Sequence, residues 1–152
     1  MKKLLFITLF FAIGFFYVAE TNAQTVSGSL KSAKKGRVTR GYVVLKIPKG
    51  LHVNSYRPKS EYAIPTRVSV SGKGIRAFGV TYPPGKTRKF SFSKTPISVY
   101  EGRAVFGFKV RVPKGYKGRW IRIRAKVRYQ ACTDEVCYPP KTKYVNLRAR
   151  VR

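Results

Sequence analysis

Acidic residues are scarce in this chain. Five Asp plus Glu stand against 33 Lys plus Arg in 152 residues, a formal net charge of +28. An excess of that size has no internal counter-charge, so its field reaches whatever surrounds the molecule. Soft metal ligands are few as well. One histidine and two cysteines cannot furnish a structural zinc site. No serine–histidine–acid set, carboxylate pair or phosphate-binding glycine loop is present, which argues against a hydrolase or a nucleotide-dependent enzyme. No cofactor is implied. Composition excludes a collagen, a coiled coil and a polytopic membrane protein. With no DNA-binding helix and no RNA-binding aromatic motif, nucleic acid is not an expected partner. What the chain does have is 43% apolar residues, with 10 Phe, 10 Tyr and 1 Trp. That is enough for a packed core and too aromatic for a disordered basic tail. The length suits one domain.

The first residues form a separate unit. Lys2 and Lys3 precede an uncharged apolar run from Leu4 to Ala19, and Thr21-Asn22-Ala23 ends in a small residue. The run is shorter than the roughly 20 residues a spanning helix requires. Residues 1–23 therefore read as a secretory signal peptide, which places the rest in the periplasm or outside the cell. No cysteine near the cleavage position could carry a lipid anchor. Only Lys2, Lys3 and Glu20 are charged in this segment, so the imbalance belongs to the exported part. Export also permits a lasting disulfide.

Beyond residue 23, apolar residues alternate rather than recur at helical spacing. Val43, Leu45 and Ile47 share one face of 42–47, and 66–71 is a short β-branched run. In 103–112, Ala104, Phe106, Phe108, Val110 and Val112 oppose Lys109 and Arg111. In 120–129, Ile121, Ile123, Ala125, Val127 and Tyr129 oppose Arg122, Arg124, Lys126 and Arg128. In 143–152, Val145, Leu147, Ala149 and Val151 oppose Arg148, Arg150 and Arg152. Turn residues at Pro48-Lys49-Gly50, Gly72-Lys73-Gly74, Pro83-Pro84-Gly85 and Pro113-Lys114-Gly115 separate the runs. The expectation is an all-β, antiparallel, immunoglobulin-like β-sandwich of about seven to nine short strands, a single domain over 38–152. Residues 24–37, rich in Ser, Gly and Lys, are expected to be a flexible entry with at most one edge strand.

The last two runs flank Ala131 to Pro140 and should pair as a hairpin. Its outer face would set Arg122, Arg124, Lys126 and Arg128 beside Arg148, Arg150 and Arg152, and like charges facing across strands destabilise. Two readings stay open. Long stems can cover apolar sheet and keep their charged heads wet. Alternatively, the face meets an anionic envelope component, such as lipid phosphates, acidic glycans or acidic proteins.

Between these strands runs Tyr129-Gln130-Ala131-Cys132-Thr133-Asp134-Glu135-Val136-Cys137-Tyr138-Pro139-Pro140. Cys132 and Cys137 can reach each other if the loop folds back. So small a ring contributes only about 2 kcal/mol of chain-entropy stabilisation. Exposed bridges are also the readily exchanged ones, although a structural staple fits the spacing too. Asp134 and Glu135 disfavour a thiolate here, while Arg128, Lys141 and Lys143 favour one. His52, the sole histidine, reads as a structural residue before a proton carrier.

YQACTDEVCYPP, followed by KTKYVNL, resembles the signature of the N-terminal periplasmic domain of the bacterial thiol:disulfide interchange protein DsbD, a family also called the disulfide bond corrector domain. Gly50-Leu51-His52-Val53-Asn54-Ser55 and Val99-Tyr100-Glu101-Gly102 resemble two less specific stretches of it. The resemblance spans about Val38 to Val151. It implies an immunoglobulin-like sandwich carrying a redox-active cysteine pair. Electrons would come from a membrane-embedded carrier and pass to periplasmic thioredoxin-fold proteins. It further implies Cys137 as the attacking thiol and Cys132 as the resolving one, framed by Tyr129, Gln130, Tyr138 and Pro139. Some members have one more residue between the cysteines. Their acidic, aromatic cap loop lacks a clear counterpart here, and Phe90 to Lys94, without the acids, is the candidate for its place. The carrier and the thioredoxin-fold proteins are expected on other chains. Three functional readings therefore stand: a thiol–disulfide exchange component or protein-disulfide reductase, a non-enzymatic binding module with a structural loop bridge, and a subunit joining a larger complex by its sheet edge.

Overall fold

The alternating runs become strands because alternate side chains of an extended backbone leave on opposite faces. The computed structural model describes residues 24–152, so the signal-peptide reading of 1–23 lies outside the described residues. The strands are β1 (Thr25–Leu30), β2 (Val38–Lys46), β3 (His52–Asn54), β4 (Arg67–Ser71), β5 (Arg76–Thr81), β6 (Lys86–Arg88), β7 (Ile97–Tyr100), β8 (Arg103–Arg111), β9 (Trp120–Tyr129), β10 (Ala131–Cys132) and β11 (Lys141–Arg150). Among the described residues there is no helix. The fold is all-β and antiparallel, as the alternation predicts. The described residues form eleven strands rather than seven to nine. The surplus comes from pieces such as β3, β6 and β10, each of two or three residues, too short to show a period.

Three sheets form, in the orders β1-β2-β8-β5, β11-β9-β4 and β10-β3-β7-β6. The inner faces of the first two share one core. Val43 and Leu45 of β2, Phe106, Phe108 and Val110 of β8, and Ile121, Ile123, Ala125 and Val127 of β9 are all buried in it. Burying each such large apolar side chain stabilises the fold by about 1.5–3 kcal/mol. The third, smaller sheet continues the sandwich at one end. There β1 begins, β2 ends and β8 begins, since Thr25 pairs with Lys46 and Lys46 with Arg103. The Tyr129 hydroxyl donates to Gln24 Oε1 at 3.3 Å, so β9 finishes at this same end.

The 24–37 segment is not the flexible entry expected. Its one edge strand, β1, pairs with β2 from Thr25 to Leu30. Beyond it, Ala33 is fully buried, donates its N–H to the Arg150 carbonyl and accepts from the Arg152 N–H. Gly28 reflects close packing: a Cβ there would meet the Tyr42 carbonyl and lie 3.2 Å from Leu147.

Gly41 shows the same constraint within the core. It stands opposite Phe108 in the β2–β8 ladder, and the Phe108 ring lies across the space a Cβ would occupy, its Cε2 only 2.8 Å away. Phe108 is buried and cannot swing out. Gly41→Ala should therefore lower stability by about 1–3 kcal/mol, the usual cost of overpacking. Urea unfolding monitored by circular dichroism measures it.

Candidate functional site

The β9–β11 ladder ends on the pair Tyr129 and Lys141, so the residues between them must leave the sheet and return to it. They do so by borrowing a neighbour. Ala131 and Cys132 extend the small sheet as β10, opposite Val53 and His52 of β3. The chain then reverses. The Thr133 N–H donates to the Val136 carbonyl at 2.8 Å, and the Tyr138 N–H to the Ala131 carbonyl at 2.9 Å. Thr133 Oγ1 accepts from the N–H groups of Glu135 and Val136 at 3.2 and 3.0 Å, a side chain standing in for a backbone turn. Cys137 is thereby set opposite Cys132 with the Cα atoms 4.0 Å apart, and the two are disulfide-bonded. The bond is asymmetric in its access to solvent. Cys132 is 0% exposed, whereas Cys137 is an exposed residue.

Gln130 anchors the base of this loop. Its Oε1 accepts from Asn54 Nδ2 at 3.1 Å and from the Ile64 N–H at 3.3 Å. Asn54 Nδ2 also donates to the Ile64 carbonyl, and the Thr66 hydroxyl donates to the Asn54 carbonyl at 2.6 Å. Among the residues expected to frame the pair, Gln130 thus holds the loop to its neighbours. Tyr129 instead points into the core, its hydroxyl on Gln24 and its pKa raised by burial. Tyr138 and Pro139 are exposed beyond Cys137. Asn54 is a site residue that sequence reading missed, because its three-residue strand is wholly buried and shows no alternation.

A groove of about 790 Å³ opens beside Cys137, lined by Glu61, Tyr62, Ala63, Phe92 and Gln130 among others. Tyr62 is 92% exposed, and Phe92, Val136 and Tyr138 are also exposed large hydrophobic residues. The outer sulfur is therefore set among apolar groups open to solvent. Phe92, Ser93 and Lys94 line this groove, so the 90–94 loop borders the pair.

His52 lies on the other side of the ring. It is 3% exposed, stacked on Phe90 with centroids 4.3 Å apart, and Phe90 stacks in turn on Phe92. Its Nδ1 is 4.0 Å from Asp134 Oδ1. Burial pushes its pKa below the ordinary 6.5, with Asp134 and Glu101 pulling upward less strongly. Unfolded chain then binds the proton more readily than folded chain, so stability from this residue is full above pH 6.5 and is lost as pH falls below it. The melting temperature should decline as pH drops from about 7 to 5. His52→Phe, which keeps a ring over Phe90, should flatten that decline in thermal melts across the same range.

The basic residues expected on one face do share it. Arg122, Arg124, Lys126, Arg128, Arg148 and Arg150 are all exposed on the outside of β9 and β11. The register corrects their pairing. Only Arg122 faces an arginine of β11, Arg148; Arg124, Lys126 and Arg128 face Asn146, Tyr144 and Thr142, and Arg150 faces Trp120. Arg128 does face an arginine, Arg67, but across the β4 side.

Comparison with known proteins agrees with this fold. No curated protein matches the chain. The N-terminal periplasmic domain of ScsB from Proteus mirabilis is similar at 10% identity and a TM-score of 0.58, covering 82% of this chain and 45% of that one. The DsbD N-terminal domain of Neisseria meningitidis, solved in its reduced form, aligns at 16% identity and a TM-score of 0.49, covering 81% and 84%. The family model for the N-terminal part of thiol:disulfide interchange protein DsbD matches residues 23–149, nearly the whole described chain and its cysteine loop. With that match over an all-β sandwich that carries a bonded cysteine pair at its end, the chain belongs to the DsbD N-terminal domain family.

Proposed function

We propose that this chain is a periplasmic thiol–disulfide exchange module in which Cys137 joins the partner and Cys132 resolves the mixed disulfide. The observation that carries this reading is the unequal access to the two sulfurs, with Cys137 exposed and Cys132 fully buried. An incoming reactant meets the outer sulfur first. Family membership supports the redox use of the pair over a purely structural bridge.

The cycle balances without a cofactor, because the electrons travel in sulfur bonds. In the reduced form, the Cys137 thiolate attacks a disulfide of a thioredoxin-fold partner. A Cys137–partner bond forms and one partner thiolate leaves. The Cys132 thiol loses its proton to solvent, and the resulting thiolate attacks Cys137 Sγ, restoring the Cys132–Cys137 bond and releasing the second partner thiolate. The partner has gained two electrons. Two protons from solvent complete its thiols. A dithiol on a membrane electron carrier recharges the pair by the reverse steps, entering at Cys137.

The supporting architecture serves the same sequence of events. The anchor of Gln130 on Asn54 and Ile64 holds the inner cysteine while the outer one is engaged. Tyr62, Phe92, Val136 and Tyr138 supply the apolar contact that exchange through a docked partner needs.

Single-cysteine variants test the roles. Cys132→Ser should accumulate a covalent complex with an oxidised thioredoxin-fold protein, seen on non-reducing gels and removed by dithiothreitol. Cys137→Ser should accumulate none, since its remaining thiol is buried. A complex formed by Cys137→Ser and not by Cys132→Ser would reverse the assignment.

A further inference from the structure

Charge is distributed unevenly over this molecule. The four acidic residues of the described chain, Glu61, Glu101, Asp134 and Glu135, all belong to the cysteine end. Glu61 lines the Cys137 groove, Glu101 pairs with Lys86 and Arg88 of β6, and the other two lie within the ring. The outer face of the β11-β9-β4 sheet has none. There Arg122 stands directly opposite Arg148, and Arg67 opposite Arg128. Both are like-charge pairs of the kind that weakens a sheet.

Two aromatic residues lie among these cations. Trp120 and Tyr144 are 44% and 50% exposed. The Arg148 guanidinium sits 4.0 Å over the Trp120 ring and that of Arg124 4.3 Å over Tyr144. Stacking holds each guanidinium extended before any ligand arrives. Between the strands a groove of about 630 Å³ is lined by Lys73, Arg122, Arg124 and Arg148, with Ser71 and Asn146 as neutral hydrogen-bonding neighbours.

We propose that this face docks on an anionic lipid surface, with a lipid phosphate seated among Lys73, Arg122, Arg124 and Arg148. The occupant follows from the combination of features. Arginine forks match phosphate geometry. Trp and Tyr are the side chains that settle at a membrane–water interface, where one part of the ring is apolar and the rest wet. A single sheet face presents both to a broad surface. The opposite face of the sandwich is also basic, with Arg40 facing Lys109, Lys46 facing Arg103 and Arg76 facing Arg111. Bulk charge alone would therefore bind on either side. On that face, among the described residues, the one stacked guanidinium is Arg76, 5.4 Å over Phe78, a ring without the polar edge of Trp or Tyr; the exposed Tyr42 has none over it. Docking does not depend on the redox reading.

Trp120 is the chain's single tryptophan and lies within the proposed contact, so it reports on it directly. The full exported protein is titrated with phosphatidylcholine vesicles with and without phosphatidylglycerol, and with heparin as a soluble polyanion. With phosphatidylglycerol present, Trp120 emission should shift to the blue and become shielded from acrylamide. Rising salt should reverse both effects, because exposed charges are screened within about 8 Å at physiological ionic strength. Each cation held near an anionic leaflet is worth about fivefold in affinity, so reversing Arg122, Arg124 and Arg148 to Glu should weaken vesicle binding about a hundredfold. The matched triple Arg40→Glu, Arg103→Glu and Lys109→Glu should cost far less. Arg148→Glu alone relieves the clash with Arg122, so it should weaken binding without lowering the melting temperature. Replacing both cysteines by Ser should leave binding unchanged, which separates this surface from the redox site. Equal losses from the two triples, an unshielded Trp120, or retention by heparin without vesicle binding would each overturn the proposal.

Discussion

The ten cross-strand pairs between β9 and β11 are the constraint on which the rest of the molecule depends. One register decides three things at once. Turned inward, Ile121, Ile123, Ala125, Val127, Leu147 and Ala149 build one wall of the core. Turned outward, the intervening positions collect the arginines. At its end, the pairing of Tyr129 with Lys141 sets the span that the cysteine loop must bridge. A shift of one residue would bury the arginines and expose the core, so the register is held by the cost of both errors.

The same ladder explains why the bridge contributes little to holding the fold. The loop is already closed by β10 pairing with β3, by the Thr133–Val136 and Tyr138–Ala131 hydrogen bonds, and by the Gln130 anchor. With the polypeptide ends of the ring held by these contacts, the sandwich is expected to survive breaking of the sulfur bond. A bond that stabilises so little is open to use as an electron store. The burial of Cys132 beside an exposed Cys137 gives the store a direction of approach.

Much of the frame was legible in the sequence, and the reasons are physical. Long strands with one wet face advertise themselves by alternation, so 103–112 and 120–129 matched β8 and β9 closely. β3 was invisible, because all three of its residues are buried and no alternation survives. The entry segment misled for a related reason. Glycine and serine read as flexibility, yet at Gly28 smallness admits the neighbouring strand and the Leu147 side chain. At the site, the cysteine spacing exposed the ring itself, but not which sulfur is covered. That depends on His52 and β3, contributed from far along the chain. Tyr129 could be assigned to the core by its place in the alternation, and that place prevailed over its nearness to Cys132 in sequence. The pairing of the arginines was out of reach for composition, because it rests on register.

The central claim is that the Cys132–Cys137 bond is a redox couple and not a staple. Its reduction potential tests this most directly, by equilibration of residues 24–152 in dithiol/disulfide buffers and quantification of the thiols at each poise. The account predicts a single two-electron transition at a potential above about −300 mV, the level below which structural bridges of secreted proteins resist reduction. A bond that stays closed until well below that level would contradict it.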